Sequence, residues 1–187
     1  MAVTPTKPIP LGFLAPDFLL PDVISGKHIR FEDIKGKQGT LVMFICNHCP
    51  YVKHVIHELA QLAIDYQHKG IGFVAINSND IVSYPEDAPD KMQDFAALHR
   101  FPFPYLFDET QQTAKDYDAA CTPDFNLFDS DDKCVYRGRL DGSRPGNDIP
   151  VTGQDMRQAL DNLLGGFPIS AEQLPSMGCN IKWKTNE

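Results

Sequence analysis

The stretch Thr40 to His54, "TLVMFICNHCPYVKH", decides how the chain folds. Leu41 to Cys46 is an apolar run of strand length, which suits a central strand covered on both faces. A Cys-x-x-Cys pair, Cys46 and Cys49, follows at once, and then Pro50. From Tyr51 to His68 the apolar residues Val52, Val55, Ile56, Leu59, Leu62, Ala63 and Tyr66 recur at helical spacing. Gly70 stops that helix, and "IGFVAI" (Ile71 to Ile76) supplies a second buried strand. A strand–helix–strand crossover predicts parallel strands and a right-handed connection. Cys46 therefore closes a strand, and Cys49 lies at or inside the first turn of a helix. In an open α/β sheet, chemistry gathers at the carboxyl ends of strands, where helices present their N-termini. The unpaired N–H groups and dipole there favour a thiolate over a thiol, so one cysteine becomes a nucleophile near neutral pH. The second, two residues on, can close a disulfide with little movement. Pro50 suits the first turn, since its missing N–H needs no partner there. His48 can carry positive charge, which favours the reduced thiolate and makes the disulfide a better oxidant.

The rest of the chain continues the alternation of strands and helices. Residues 1–16, rich in proline, read as an irregular arm, and "DFLLPDVISGKHIRF" as a short hairpin turning at Ser25-Gly26. Asn77 to Pro89 is polar and broken by prolines, and reads as a loop. A helix is predicted from Pro89 to Arg100, a short strand at Tyr105 to Phe107, and a short helix from Thr110 to Asp118. "FNLFD" and "CVYRGRL" read as an antiparallel hairpin across Ser130 to Lys133. A last helix opens near Thr152, where Asp155 completes a capping-box-like spacing, and ends at Gly165-Gly166. Residues 167–187 form a C-terminal tail on one domain spanning 1–187. The fold class is α/β, a central mixed sheet flanked by helices, with an N-terminal β-hairpin.

Composition narrows the function. The chain has 187 residues, enough to bury a sizeable core, and a net charge of −8, which argues against a nucleic-acid partner. Arg137, Arg139 and Arg144 form the one local basic cluster, read as a solvated strand edge. The start, "MAVTPTKPIPLGF", lacks a signal-peptide core, and no run approaches membrane-spanning length, so a cytoplasmic protein without a membrane partner is expected. Five cysteines (Cys46, Cys49, Cys121, Cys134, Cys179) are an odd number, too sparse for a secreted disulfide scaffold, and read as catalytic or metal-binding. Half a zinc site is the competing reading of the dithiol, with His48, His54 and His57 near. Yet there is no second Cys-x-x-Cys, and the spacing departs from the usual finger, so no metal is expected. His54 and His57 read as solvated helix residues and Cys134 as a packing cysteine.

"APDF" followed by a hairpin, "NHCPYVKH", "CTPDF" and "VYRGRLDG" carry a resemblance over most of the chain. They resemble the thioredoxin-fold superfamily, and within it the peroxiredoxin-like branch of alkyl hydroperoxide reductase and thiol-specific antioxidant proteins. The resemblance implies a thioredoxin-like fold, with Cys46 as the exposed, attacking cysteine and Cys49 as its resolving partner. It implies that Thr122-Pro123 carries a cis-proline beside the active site. Five places depart from the family patterns. Ile45 stands where thioredoxins have Trp, and their buried carboxylate would fall near Thr40. Aligned on Cys49, the peroxidatic Thr position is Cys46 and the Pro position Val42, while the peroxidase arginine falls at Thr122-Pro123 and is missing.

The expected activity is thiol–disulfide exchange through Cys46 and Cys49. It needs no cofactor and acts on protein or small-molecule thiols and disulfides, with a thiol electron donor. The alternatives are a peroxidase with Cys49 as peroxidatic thiol and Cys46 resolving, or a non-catalytic metal carrier or scaffold using Cys46, Cys49 and His48. Cys121 and Cys179 are possible further redox residues. Each is either a small buried hydrophobe or half of a Cys121–Cys179 bond, tying a tail with Ile181 and Trp183 over the active-site loop.

Overall fold

The computed structural model describes residues 3–185. In chain order the elements are β1 (Val3–Pro5), β2 (Leu19–Pro21), β3 (His28–Arg30), α1 (Phe31–Ile34), β4 (Gly39–Phe44), α2 (Pro50–Gln67) and β5 (Ile71–Asn77). A 3-10 turn (Pro85–Asp87) precedes α3 (Pro89–Leu98), β6 (Tyr105–Phe107), α4 (Gln112–Asp116), β7 (Cys121–Thr122), β8 (Asp124–Asp129), β9 (Cys134–Tyr136), α5 (Gln154–Gly165) and β10 (Met177–Asn180).

The main sheet has the order β6-β5-β4-β8-β9. Its first three strands run parallel and β8 and β9 antiparallel, so the sheet is mixed, as expected. β4 lies at its centre and all six of its residues are buried. Strand alternation divides them between two cores. Leu41 and Met43 pack with Val52 and Leu59 of α2 and Leu160 of α5, whereas Val42 and Phe44 pack with Phe31 and Tyr117 on the other face. The expected hairpin is β2–β3, and Gly26 (φ +72°) donates its N–H to Asp22 at its turn. No helix of the described residues is long and apolar enough to cross a membrane.

Four expectations need correction. The arm over residues 1–16 is not wholly irregular: β1 pairs antiparallel with β10, and β10 with β7, in a second sheet. Residues 1 and 2 lie outside the described residues, as do 186 and 187 of the tail. These partners come from opposite ends of the chain, so no local pattern announces them. Arg137 is buried rather than solvated, its guanidinium donating to the carbonyls of Lys7, Tyr117 and Asp118 and to Asn126. α5 has no capping box. Gly153 caps it in the left-handed region with no side chain to offer, and the Thr152 hydroxyl accepts only the Gln154 N–H, at 3.3 Å. The Asp141 carboxylate, brought in from beyond β9, takes the N–H groups of Thr152 and Gly153 at 2.8 and 2.7 Å. Asp155 is drawn instead to Arg139, at 2.6 Å, because a guanidinium is a stronger partner for a carboxylate than a backbone N–H. Finally, β4 ends at Phe44, so Cys46 stands two residues beyond the strand, although Ile45 N–H still bonds to Ile76.

Candidate active site

Cys49 is the N-cap of α2, with Pro50 at the first helical position as expected. Both dithiol sulfurs belong to buried residues, Cys46 at 1% and Cys49 at 0% exposure. Cys46 is therefore not the exposed thiol that the resemblance implied: β10 and the segment carrying Asp87 close over the pair. β7 comes up beside it. The Thr122 hydroxyl lies 3.3 Å from the Cys46 sulfur, and the Thr122 carbonyl accepts the Cys49 thiol at 3.3 Å. The Thr122-Pro123 peptide is cis. A cavity of about 130 Å³ opens beside Pro123, lined among others by Tyr51, His54, Phe125, Ser143 and Met177. His54, expected in solvent, has its Nε2 buried without a protein partner among the described residues.

Cys121 and Cys179 separate. β10 pairs with β7 so that Cys179 stands opposite Thr122 and Asn180 opposite Cys121. Side chains alternate along a strand, so Cys179 shares the dithiol's side while Cys121 turns away, to the Thr6 hydroxyl at 3.9 Å and the Pro123 carbonyl at 3.6 Å. This geometry does not favour the Cys121–Cys179 bond, one of the two readings open for these residues. Cys179 instead joins Cys46 and Cys49 in one core cluster, where its thiol and backbone N–H help to lower the Cys49 pKa. Gly178 permits the approach, since a Cβ there would lie 2.0 Å from the Thr122 carbonyl oxygen.

Charge in the cluster settles on Cys49. The Cys46 thiol donates to it, and the Cys179 thiol and the N–H groups of Val52 and Cys179 add further donors; against the cost of burial they lower the Cys49 pKa to about 5. Cys46 moves well up, because it gives its proton to the Cys49 sulfur, is buried, and faces the Asp87 carboxylate. The resemblance put the thiolate on Cys46; the donors converge on the other sulfur because Cys49, not Cys46, occupies the helix cap.

Asp87 is the site residue that sequence reasoning missed, having assigned Asn77 to Pro89 to a loop. Its carboxylate is fully buried and accepts the Asn47 N–H at 2.7 Å, Asn79 Nδ2 at 2.8 Å and His48 Nδ1 at 2.6 Å. The His48 ring stacks on Tyr84 with centroids 5.2 Å apart, and its Nε2 is buried without a protein partner among the described residues. The His48 pKa is raised, chiefly by the Asp87 hydrogen bond. That of Asp87 is lowered: burial pushes it up, but the His48 and Asn79 hydrogen bonds outweigh burial. A carboxylate thus reaches the dithiol from the far end of β5. Thr40, where thioredoxin's acid would fall, only accepts the Gly36 N–H, at 3.1 Å. No local signal separates Asp87 from Glu86 or Asp90. Donor atoms of Cys46, His48 and Asp87 lie within 4.8 Å of one another, a grouping in which a metal would compete with the Asn47 and Asn79 hydrogen bonds to the carboxylate.

The chain is similar over its length to a structure of an uncharacterized conserved protein from Geobacillus kaustophilus, at 58% identity, covering 100% of this chain and 99% of that one, with a TM-score of 0.98. A hypothetical protein from Sinorhizobium meliloti 1021 follows at 43% identity, 98% and 100% coverage and a TM-score of 0.95. A secreted Mycobacterium tuberculosis disulfide oxidoreductase homologous to E. coli DsbE, at 15% identity, 77% and 94% coverage and a TM-score of 0.59, is alike in fold alone. No curated protein matches. The model described as the AhpC/TSA family matches residues 11–137, a span that takes in the dithiol, Asp87 and Pro123 and stops short of Cys179. With its mixed thioredoxin-like sheet and a pair of cysteines at the head of α2, the chain belongs to the AhpC/TSA family.

Proposed function

We propose that this protein is a thiol–disulfide oxidoreductase in which Cys49 attacks and Cys46 resolves, the reverse of the roles implied by resemblance. The observation that carries the proposal is the place of Cys49 at the N-cap of α2, in one buried cluster with Cys46 and Cys179, with its pKa lowered to about 5. The Cys49 thiolate attacks one sulfur of a substrate disulfide, forming a mixed disulfide and releasing a substrate thiolate. Cys49 then no longer holds the Cys46 proton. The departing substrate thiolate takes that proton, and His48, held by Asp87 with donor atoms within 4.8 Å of the Cys46 sulfur, offers a cation to the new Cys46 thiolate. Cys46 attacks the Cys49 sulfur, the Cys46–Cys49 bond forms, and the second substrate thiolate leaves. A partner thiol returns two electrons and restores the dithiol. The cavity beside Pro123 offers the substrate a place next to the Thr122 backbone.

Peroxide reduction is the second reading, favoured by the charge on Cys49 with the Cys46 thiol in the place of the peroxidase Thr. Against it, the buried Arg137 commits four of its five guanidinium N–H groups to Lys7, Tyr117, Asn126 and Asp118, which holds it there rather than on a peroxide. An insulin-reduction assay beside a peroxide-consumption assay separates the two. Insulin reduction with a small dithiol donor, and peroxide loss at the background rate, is the expected outcome; the opposite pattern overturns the proposal. Stoichiometric metal in anaerobically purified protein would mark a carrier instead.

His48→Pro gives a further test. It removes the cation and leaves Asp87 as an uncompensated negative charge facing the dithiol. The thiolate is then less stable and the disulfide relatively more so. The potential is expected to fall by at least about 30 mV, a change of about 1.4 kcal/mol. Equilibration with glutathione measures it, and an unchanged or higher potential would show that His48 does not tune the dithiol.

A further inference from the structure

Cys179 plays no part in the two-cysteine cycle, lies beyond the family-matched residues, and yet shares one buried core cluster with the dithiol. We propose that Cys179 is a third redox thiol, which attacks the Cys46–Cys49 disulfide at the Cys49 sulfur and moves the bond to Cys49–Cys179. The proposal rests on the dithiol reading above. Three features of the fold place Cys179 for this. It stands opposite Thr122 in the β7–β10 ladder, and Thr122 touches both dithiol sulfurs. Gly178 lets β10 close on the Thr122 carbonyl where any Cβ would collide. The thiol is buried at 3% exposure in the same core cluster as Cys46 and Cys49, so an intramolecular partner is at hand while solvent and large oxidants are not.

The exchange balances without an outside reagent. The Cys179 sulfur bonds to the Cys49 sulfur, the Cys46–Cys49 bond breaks, and Cys46 leaves as a thiolate that takes up the proton Cys179 gives up. One disulfide and one thiol stand on each side. In the reduced protein the Cys179 pKa is pushed up to about 12 by burial, by donating to the Cys49 sulfur and by that sulfur's charge. The last two causes disappear once Cys49 is in a disulfide, whereas the opposing pull of Lys182 remains. Oxidation of the dithiol thus eases the ionisation that the attack requires. Its product leaves Cys46 as a free thiol and ties the oxidised centre to the C-terminal strand.

The test uses Cys46→Ser, which retains four of the five thiols. After one equivalent of diamide, the protein is expected to keep two titratable thiols, run as a monomer, and yield a linked pair of peptides containing Cys49 and Cys179. Retention of all four thiols, or intermolecular bonds alone, would overturn the proposal. If Cys46→Ser does not fold, the oxidised wild-type protein, acid-quenched and mapped, decides instead: Cys49–Cys179 peptides beside Cys46–Cys49 peptides support the exchange, and Cys46–Cys49 peptides alone refute it. Wild-type protein that forms neither bond sinks the dithiol reading itself, a separate outcome.

Discussion

Cys46→Ser made together with Cys179→Ser, which leaves no thiol to resolve Cys49, is expected to accumulate as a covalent mixed disulfide with its substrate through Cys49, while Cys49→Ser traps nothing and loses at least about a thousandfold in turnover. The asymmetry follows from where the charge rests. Cys49 caps α2 and collects the donors that lower its pKa to about 5, so near neutral pH it is the thiolate, and the thiolate is the nucleophile. Cys46 keeps its proton until Cys49 is consumed, so its loss removes resolution but leaves attack intact. Mass spectrometry of the unreduced reaction mixture reads the adduct. In the wild-type protein, brief alkylation should label Cys49 before Cys46, and the rate should fall as pH drops through about 5. An adduct on Cys46 in Cys49→Ser would return the attack to the first cysteine.

The second large effect is on stability. Asp87→Ala strands the Asn47 N–H, the Asn79 amide and His48 around an emptied acceptor site in a fully buried position. Removing one member of a buried, multiply bonded pair is expected to cost about 3 kcal/mol. For a chain of this size, that lowers the thermal midpoint by roughly 6–12 °C. The cost depends on pH with a definite sign. Asp87's pKa is depressed in the folded state, so its contribution is present above about pH 3.9 and is lost as pH falls through the lower folded value. His48's is raised, so its contribution is fully present below about pH 6.5 and is lost as pH rises through the higher folded value. The gap between wild type and Asp87→Ala should therefore be widest in mildly acid solution and narrow on both sides. Denaturant unfolding across pH checks it, and a gap independent of pH would show that the pair carries no charge. The same substitution relieves Cys46 of a facing carboxylate and should lower its pKa, read by thiolate absorbance.

Much of the fold is legible in the sequence because its signals are local. The apolar run of β4, the helical spacing of α2, the Pro50 start and the Gly166 stop each act on neighbours within a few residues. The same locality places Cys46 and Cys49 at a strand–helix joint from residue order alone. The cis-proline is legible too, though only through resemblance, since no local energetics demand it at Thr122-Pro123.

What tertiary structure alone decided are the groups that act across long separations. β1, β7 and β10 become strands only by pairing with one another, each too short to show a pattern of its own. That sheet sends Cys121 to one side and Cys179 to the side of the dithiol, a choice set by ladder register, in which a slip of one residue would set Cys179 beside Cys121 instead. Asp87 looks in sequence like any acid in a proline-rich turn; burial against His48, Asn47 and Asn79 makes it part of the site. Which cysteine carries the charge was likewise closed to the sequence. The Cys-x-x-Cys spacing provides two adjacent thiols, but the pKa of each is set by donors and charges that fold in from α2, β10 and the Asp87 turn.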